Sequence, residues 1–288
     1  MPIPTEPPAP SGPPAGVAPP AVAKAVAETF DAYLFDMDGT VYLGSGALPG
    51  AVELMRAIDQ AGRRRAFVTN NPTRTRAEYA AKLAGLGIPA TPEDVVTSAT
   101  LTAAWILAHR PDAVCFPVGE APLHEELSSR GIRLSEDPAE ITLVISSYDR
   151  TFAYWKLQVA FDALRNRPEC GFIATHPDFY CPFPGGRGEP DAAAITAAIE
   201  ACTRRTCELV VGKPSPTMLT TALELLGGVA PERAVMVGDR LRTDIAMGIA
   251  AGARTALVLT GDTALGELGD WPPEAWPDYV LESVGDLA

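Results

Sequence analysis

Ala32-Tyr33-Leu34-Phe35-Asp36-Met37-Asp38-Gly39-Thr40 decides the reading of this chain. A short apolar run ends in two carboxylates placed two residues apart, followed by a glycine that permits a tight turn and a threonine able to cap the next element. The same grammar returns far downstream, where the apolar Val235-Met236-Val237 leads into Gly238-Asp239-Arg240-Leu241-Arg242-Thr243-Asp244. Apolar runs of this length read as strands buried on both faces, and such strands belong to parallel sheets. In open α/β sheets, ligands gather outside the carboxyl ends of the strands, where both acidic groups are expected.

Working outward, helical spacing covers Pro49 to Ala61, a second strand covers Arg65 to Thr69, a helix runs over about Thr75 to Ala84, and Val95 to Ser98 is a third strand. This β-α-β-α-β start predicts a doubly wound parallel sheet. From 98 to 188 the chain changes character. It has strands of its own near Val114 to Pro117, Ile141 to Ser146 and Gly171 to Thr175, with helices between them, and Pro182, Pro184, Gly185, Gly186 and Gly188 read as an exit linker. The first rhythm then resumes, with helix Asp191 to Cys202, strand Glu208 to Val211, helix Pro216 to Leu226, strand Ala234 to Val237, helix Asp244 to Ala251 and strands Thr255 to Leu259 and Tyr279 to Leu281. The expected organisation is an α/β core over 29–97 and 189–288, interrupted by an inserted α/β cap over 98–188.

Composition bounds the function. The 288 residues are 47% hydrophobic, enough for a real core, and carry a formal charge of −13. That charge argues against a nucleic-acid partner, although a small phosphate ester remains compatible, because a bound metal inverts the local field. The five cysteines, Cys115, Cys170, Cys181, Cys202 and Cys207, are odd in number and lack CxxC spacing, which reads as reduced thiols in a cytoplasmic protein. No apolar stretch reaches the roughly 18 residues of a membrane span, so no membrane partner is expected. Met1 to Pro20 holds nine prolines, and 1–28 is expected to be a disordered tail.

Four groups carry chemistry. Asp36 with Asp38, taken alone, is also what an Asp-rich turn looks like. Asp239 and Asp244 offer the hard oxygen donors that Mg²⁺ takes, though Asp244 equally suits a helix N-terminus. Thr69-Asn70-Asn71 ends a strand with a hydroxyl, an amide and backbone N–H groups suited to phosphate, or is an ordinary Asn-Asn-Pro turn. Lys213, in Gly212-Lys213-Pro214, is a point charge for phosphate or a solvated lysine. Their order along one interrupted domain is more specific than any one of them.

In that order and wording the chain resembles the haloacid dehalogenase (HAD) superfamily of aspartate-nucleophile phosphatases. The insertion between the Thr and Lys motifs, with Gly212-Lys213-Pro214-Ser215-Pro216 and Gly238-Asp239-Arg240-Leu241, resembles its class IIA, NagD-like branch of p-nitrophenyl, nucleotide, sugar, phosphoglycolate and pyridoxal phosphate phosphatases. The resemblance covers about Thr29 to the C-terminus. It implies a Mg²⁺-dependent phosphomonoesterase in which Asp36 is the nucleophile and forms an aspartyl-phosphate. Asp38 would be the general acid and base, Thr69 and Asn70 would bind the phosphoryl group with Asn71 nearby, and Lys213 would offset charge. Asp36, the Asp38 carbonyl and Asp239 would hold Mg²⁺, with Asp244 in support. Asp38 favours a phosphatase over a dehalogenase, which has no leaving oxygen to protonate.

The resemblance also sets the loop Thr175-His176-Pro177-Asp178-Phe179-Tyr180-Cys181-Pro182 over the phosphate pocket. His176 stands where the branch often has Asn and is expected to contact the leaving group or to cap a turn, and Asp178 to bind a substrate hydroxyl or fix the loop. Caps of this kind commonly form homodimers. Competing classes are a phosphotransferase or phosphomutase on the same fold, a phospho-acceptor switch, and a non-catalytic binding protein. The inserted domain and Asp38 count against the switch. The presence of Asp36, Asp38 and Lys213 counts against the binding protein.

Overall fold

Ala32–Phe35 is a strand of four buried residues because nothing in it is content in water, and it is covered on both faces. The computed structural model describes residues 18–23, 29–183 and 187–287, which fall into two compact units. The first comprises the described residues up to Phe67, Gly85–Pro89 and residues 222–287. Within it, the strands Val22–Ala23, Tyr279–Leu281, Arg254–Val258, Ala234–Gly238, Ala32–Phe35 and the first four residues of Arg64–Thr69 lie side by side in that order, and each neighbouring pair is parallel. The helix Ala51–Gln60 buries Ala51, Leu54, Met55 and Ile58, the single apolar face its spacing foretells. Leu241, Ile245, Leu257, Leu268 and Val280 form a further part of this core.

The strand ends therefore stand as the apolar runs predict, while the connections hold surprises. Tyr42–Leu43 and Gly46–Ala47 pair as an antiparallel hairpin directly after the first acidic turn. The helix expected from Asp244 is preceded by a π-helical turn, Leu241–Ile245, before regular α-helix at Ala246–Ala251. Of the stretch read as a tail, 1–17 and 24–28 lie outside the described residues, whereas Val22–Ala23 adds an edge strand beside Tyr279–Leu281.

The second unit comprises Val68–Ala84 and Ala90–Thr221. It has a five-stranded sheet, ordered Leu209–Val210, Gly171–Ala174, Leu143–Ser146, Val114–Val118 and Arg133–Leu134, again parallel throughout. Phe116, Val144, Phe172, Leu164, Ile195 and Ile199 lie in its core. The sequence reading resumes the first domain at 189, and here the structure differs. The helix Ala192–Thr203 packs Ile195 and Ile199 against Phe172, and Leu209–Val210 pairs with Gly171–Ala174, so both belong to this unit. A two-residue strand has little pattern of its own, and its neighbour decides its sheet. Residues 98 and 188 both lie inside this unit.

The expected exit linker is largely a hairpin, in which Tyr180–Phe183 pairs antiparallel with Arg187–Pro190. Residues 184–186, with Pro184, Gly185 and Gly186, lie outside the described residues. Among the described residues, no helix is long and apolar enough to cross a membrane.

Candidate active site

In the first unit, Asp36 leaves the sheet where Ala32–Phe35 ends, and its N–H still donates to the Val237 carbonyl at 2.8 Å on the neighbouring strand. That pairing sets the two acidic groups side by side. Asp36, Asp239 and Asp244 bring carboxylate oxygens within 4.8 Å of one another, with Asp239 and Asp244 buried. Each buried carboxylate is steered by main chain. Asp239 Oδ2 accepts from the Asp262 N–H at 2.7 Å, and Asp244 Oδ2 from the Arg240 N–H at 3.2 Å. Gly39, at φ 83°, and Gly261 close on the same carboxylate. A Cβ on Gly39 would stand 2.6 Å from Asp239 Oδ2, and one on Gly261 2.0 Å from it. The Thr260 hydroxyl ties the two turns together by donating to the Gly39 carbonyl at 2.6 Å.

Three carboxylates so close repel one another unless a cation joins them, and an all-oxygen donor set suits a hard divalent ion. These acidic groups could hold such a metal. Asp38 stands apart from that cluster. Its side chain is exposed, and its Oδ2 accepts from the Tyr42 hydroxyl at 2.8 Å. Tyr42 is wholly buried, so the hairpin holds a phenol beneath this carboxylate. Sequence reasoning missed Tyr42, although its place four residues after Asp38, just past the Gly39 turn, was a usable signal.

The second unit gathers Thr69, Asn70, Lys213 and Asp178. Thr69 and Asn70 are buried at the end of Arg64–Thr69, and Thr69 Oγ1 accepts from the Asn71 N–H at 3.1 Å. Lys213 is buried two residues beyond Val211, which still bonds to Ala174, and its Nζ donates to the Val68 carbonyl at 3.3 Å. The Lys213–Pro214 bond is cis. Asn70 and Lys213 are joined directly: the Lys213 N–H donates to Asn70 Oδ1 at 2.8 Å, and Asn70 Nδ2 donates to the Lys213 carbonyl at 3.1 Å. Asn70 Nδ2 also donates to Asp178 Oδ2 at 3.2 Å. Asn71 fixes its own turn, accepting at Oδ1 from the Thr73 N–H and hydroxyl, while its Nδ2 lies 3.8 Å from Cys181 Sγ.

Of the two readings of His176, the hydrogen bonds favour the structural one. It is completely buried, with Nδ1 2.8 Å from the Thr175 hydroxyl and Nε2 2.8 Å from Asp191 Oδ1, so no ring nitrogen is left for a leaving group. Burial alone would lower its pKa. The hydrogen bond and charge of Asp191, joined by the charge of Asp178, outweigh burial and hold the imidazole above its ordinary value. Asp191 caps the helix Ala192–Thr203, and a lone Asp before an alanine-rich helix was the sequence signal for it. His176 therefore staples the two feet of the Tyr180–Pro190 hairpin. His176, Asp178 and Asp191 could also be read as metal ligands, but these hydrogen bonds already account for the grouping. The five cysteines are free, and burial pushes Cys115 up to about 12 and Cys170 and Cys207 to about 11.

A parallel α/β unit with carboxylates converging at adjacent strand ends, in a chain that also carries a Thr-Asn turn and a buried loop lysine, defines an enzyme of haloacid dehalogenase type. Sequence similarity agrees. Residues 33–133 match the family described as haloacid dehalogenase-like hydrolase, and residues 210–287 match a second HAD-hydrolase-like model. The chain is 38% identical to chronophin of Homo sapiens over 271 residues, covering 88% of this chain and 90% of that one. It is 35% identical to glycerol-3-phosphate phosphatase of Gallus gallus over 292 residues, covering 92% and 93%. The crystal structure of 4-nitrophenylphosphatase from Thermotoga maritima superposes with a TM-score of 0.83 at 36% identity, covering 89% of this chain and 95% of that one. The chain belongs to the HAD superfamily and, within it, to the class IIA, NagD-like phosphatases. It is a phosphatase acting on small phosphorylated substrates.

Proposed function

We propose that the protein is a Mg²⁺-dependent phosphomonoesterase that works through an aspartyl-phosphate on Asp36. The observation that carries this reading is the convergence of Asp36, Asp239 and Asp244 within 4.8 Å at two adjacent strand ends, two of them locked by main-chain N–H groups. Asp36, the Asp38 carbonyl and Asp239 would hold Mg²⁺, with Asp244 behind them; the ion supplies charge neutralisation to the phosphoryl group. Asp36 Oδ attacks phosphorus, and the bond to the leaving oxygen breaks. Asp38 gives that oxygen a proton, then takes one from the water that attacks the aspartyl-phosphate, which returns Asp36 and frees phosphate. The Tyr42 hydroxyl aims the Asp38 carboxylate for both transfers. As the family resemblance implies, Thr69 and Asn70 would bind the phosphoryl group, and Lys213 would offset its charge.

Substrates of the kinds named for the relatives, a polyol phosphate or an aryl phosphate, fit a loop that exposes Phe179 and Tyr180 beside Asp178. The free cysteines support a cytoplasmic setting, and the family habit supports a homodimer through the inserted unit. A phosphotransferase or phosphomutase on the same fold is separated only by the acceptor. The test is phosphate release from a panel of aryl, sugar, nucleoside, glycerol, glycolate and pyridoxal phosphates, with Mg²⁺ and with EDTA, beside Asp36→Asn. Metal-dependent release that Asp36→Asn abolishes is expected. Release untouched by EDTA or by the substitution contradicts the mechanism, and loss of the ester without free phosphate, seen only when a sugar acceptor is added and matched by phosphorylation of that acceptor, would favour the transferase.

A further inference from the structure

Asn70 follows Thr69 at the end of a strand, where its side-chain amide was expected to meet the phosphoryl group. Its hydrogen bonds leave no room for that. The Lys213 N–H can face only an acceptor, which fixes the amide oxygen, at 2.8 Å. The nitrogen on the other side of the amide then carries two hydrogens. One goes to the Lys213 carbonyl at 3.1 Å and the other to Asp178 Oδ2 at 3.2 Å. Both donors of the amide are taken. Asn70 thus pairs with the Lys213 peptide as a strand neighbour would, through a side chain, and adds a charge-assisted bond to the loop after Gly171–Ala174.

The surroundings hold this clasp in one place. Asn70 is buried, and its own carbonyl accepts from the Ser98 hydroxyl at 2.5 Å. Gly212 stands against it so closely that a Cβ there would lie 2.6 Å from Asn70 Oδ1 and 2.6 Å from the Thr175 carbonyl. The Gly212 N–H donates to that same Thr175 carbonyl at 2.8 Å. Three separate pieces of chain, 69–71, 175–178 and 212–213, meet at one amide.

We propose that Asn70 is a positioning residue. Its side chain sets the register of Lys213 and ties Lys213 to the Asp178 loop, so that the cationic group and the substrate-facing loop are fixed by one contact. This inference rests on the phosphomonoesterase reading for its effect on rate. The clasp itself stands on geometry alone.

The test exchanges the two partners. In Asn70→Asp a carboxylate faces both Asp178 and the Lys213 carbonyl, and kcat for p-nitrophenyl phosphate should fall about 30-fold. Adding Asp178→Asn restores a donor across the gap and should recover about tenfold in kcat/KM and part of the lost melting temperature, a coupling of about 1.4 kcal/mol. Were the Asn70 amide a phosphoryl ligand, the second change would add loss to loss, and a double variant no more active or stable than Asn70→Asp would overturn the proposal. If Asn70→Asp does not fold, Asn70→Ala serves. Asp178→Ala on top of it should then cost less than about twofold further, whereas multiplicative losses would contradict a shared clasp. A wild-type protein that turns over no ester would sink the phosphomonoesterase reading instead, and the melting-temperature coupling would still decide the clasp.

Discussion

Gly39→Ala is a perturbation that the carboxylate site should tolerate poorly. Gly39 sits at φ 83°, where an alanine is strained by about 1–2 kcal/mol. The new methyl would also stand 2.6 Å from Asp239 Oδ2, 2.9 Å from its Cγ and 3.1 Å from the Gly261 Cα. Overpacking of that kind costs about 1–3 kcal/mol, and the carboxylate cannot yield without leaving the Asp262 N–H. Gly62 provides the control, since it has φ 64° in the same unit and nothing within 4 Å of an added Cβ. Gly62→Ala carries the strain alone. In urea unfolding, Gly39→Ala should therefore be less stable than Gly62→Ala by about 1–3 kcal/mol. A Mg²⁺ titration read by thermal stabilisation should show affinity weakened about 10- to 100-fold in Gly39→Ala and unchanged in Gly62→Ala. Equal stability and equal metal response in the two variants would refute the claim that the glycine turns lock Asp239.

The same contacts set three other outcomes. Tyr42→Phe removes the hydroxyl that donates to Asp38 Oδ2 and should lower kcat about tenfold while KM stays within about twofold, measured on p-nitrophenyl phosphate; an unchanged kcat would free Asp38 of any dependence on Tyr42. His176 has a folded pKa above its ordinary 6.5, so it adds stability that is full below that value and is lost as pH rises through the folded pKa. His176→Asn should accordingly be most destabilised, relative to wild type, in mildly acidic buffer, and the gap should shrink as pH rises; a gap independent of pH contradicts this. Lys156 donates to Asp149 at 2.5 Å with both side chains nearly sealed from water, so Lys156→Met strands a buried carboxylate and should cost about 3–5 kcal/mol in denaturant unfolding.

The parts legible in the sequence are those written in one segment. Ala32–Phe35 and Ala234–Gly238 are apolar runs that can only be buried, and the acidic residues just after them must emerge at the sheet's carboxyl end. Asp36, Asp239 and Asp244 could be grouped on that ground. The features that stayed hidden depend on partners far apart in the chain. Asn70 looks like a phosphate ligand until Lys213, 143 residues away, takes its amide oxygen. His176 looks free until Asp191 closes on it across the hairpin. Leu209–Val210 joins its sheet through Gly171–Ala174, and the Pro- and Gly-rich stretch around Pro182 hides a hairpin whose pairing no local propensity announces.

The most direct test of the account is to stop the enzyme in mid-turnover. Acid quenching with a good aryl phosphate, borohydride reduction and peptide mass spectrometry would read the nucleophile, because an aspartyl-phosphate is reduced to homoserine and a free aspartate is not. Homoserine at position 36, and at no other aspartate, is the predicted result. Turnover without any modification at Asp36, or homoserine at another carboxylate, would contradict the mechanism at its centre.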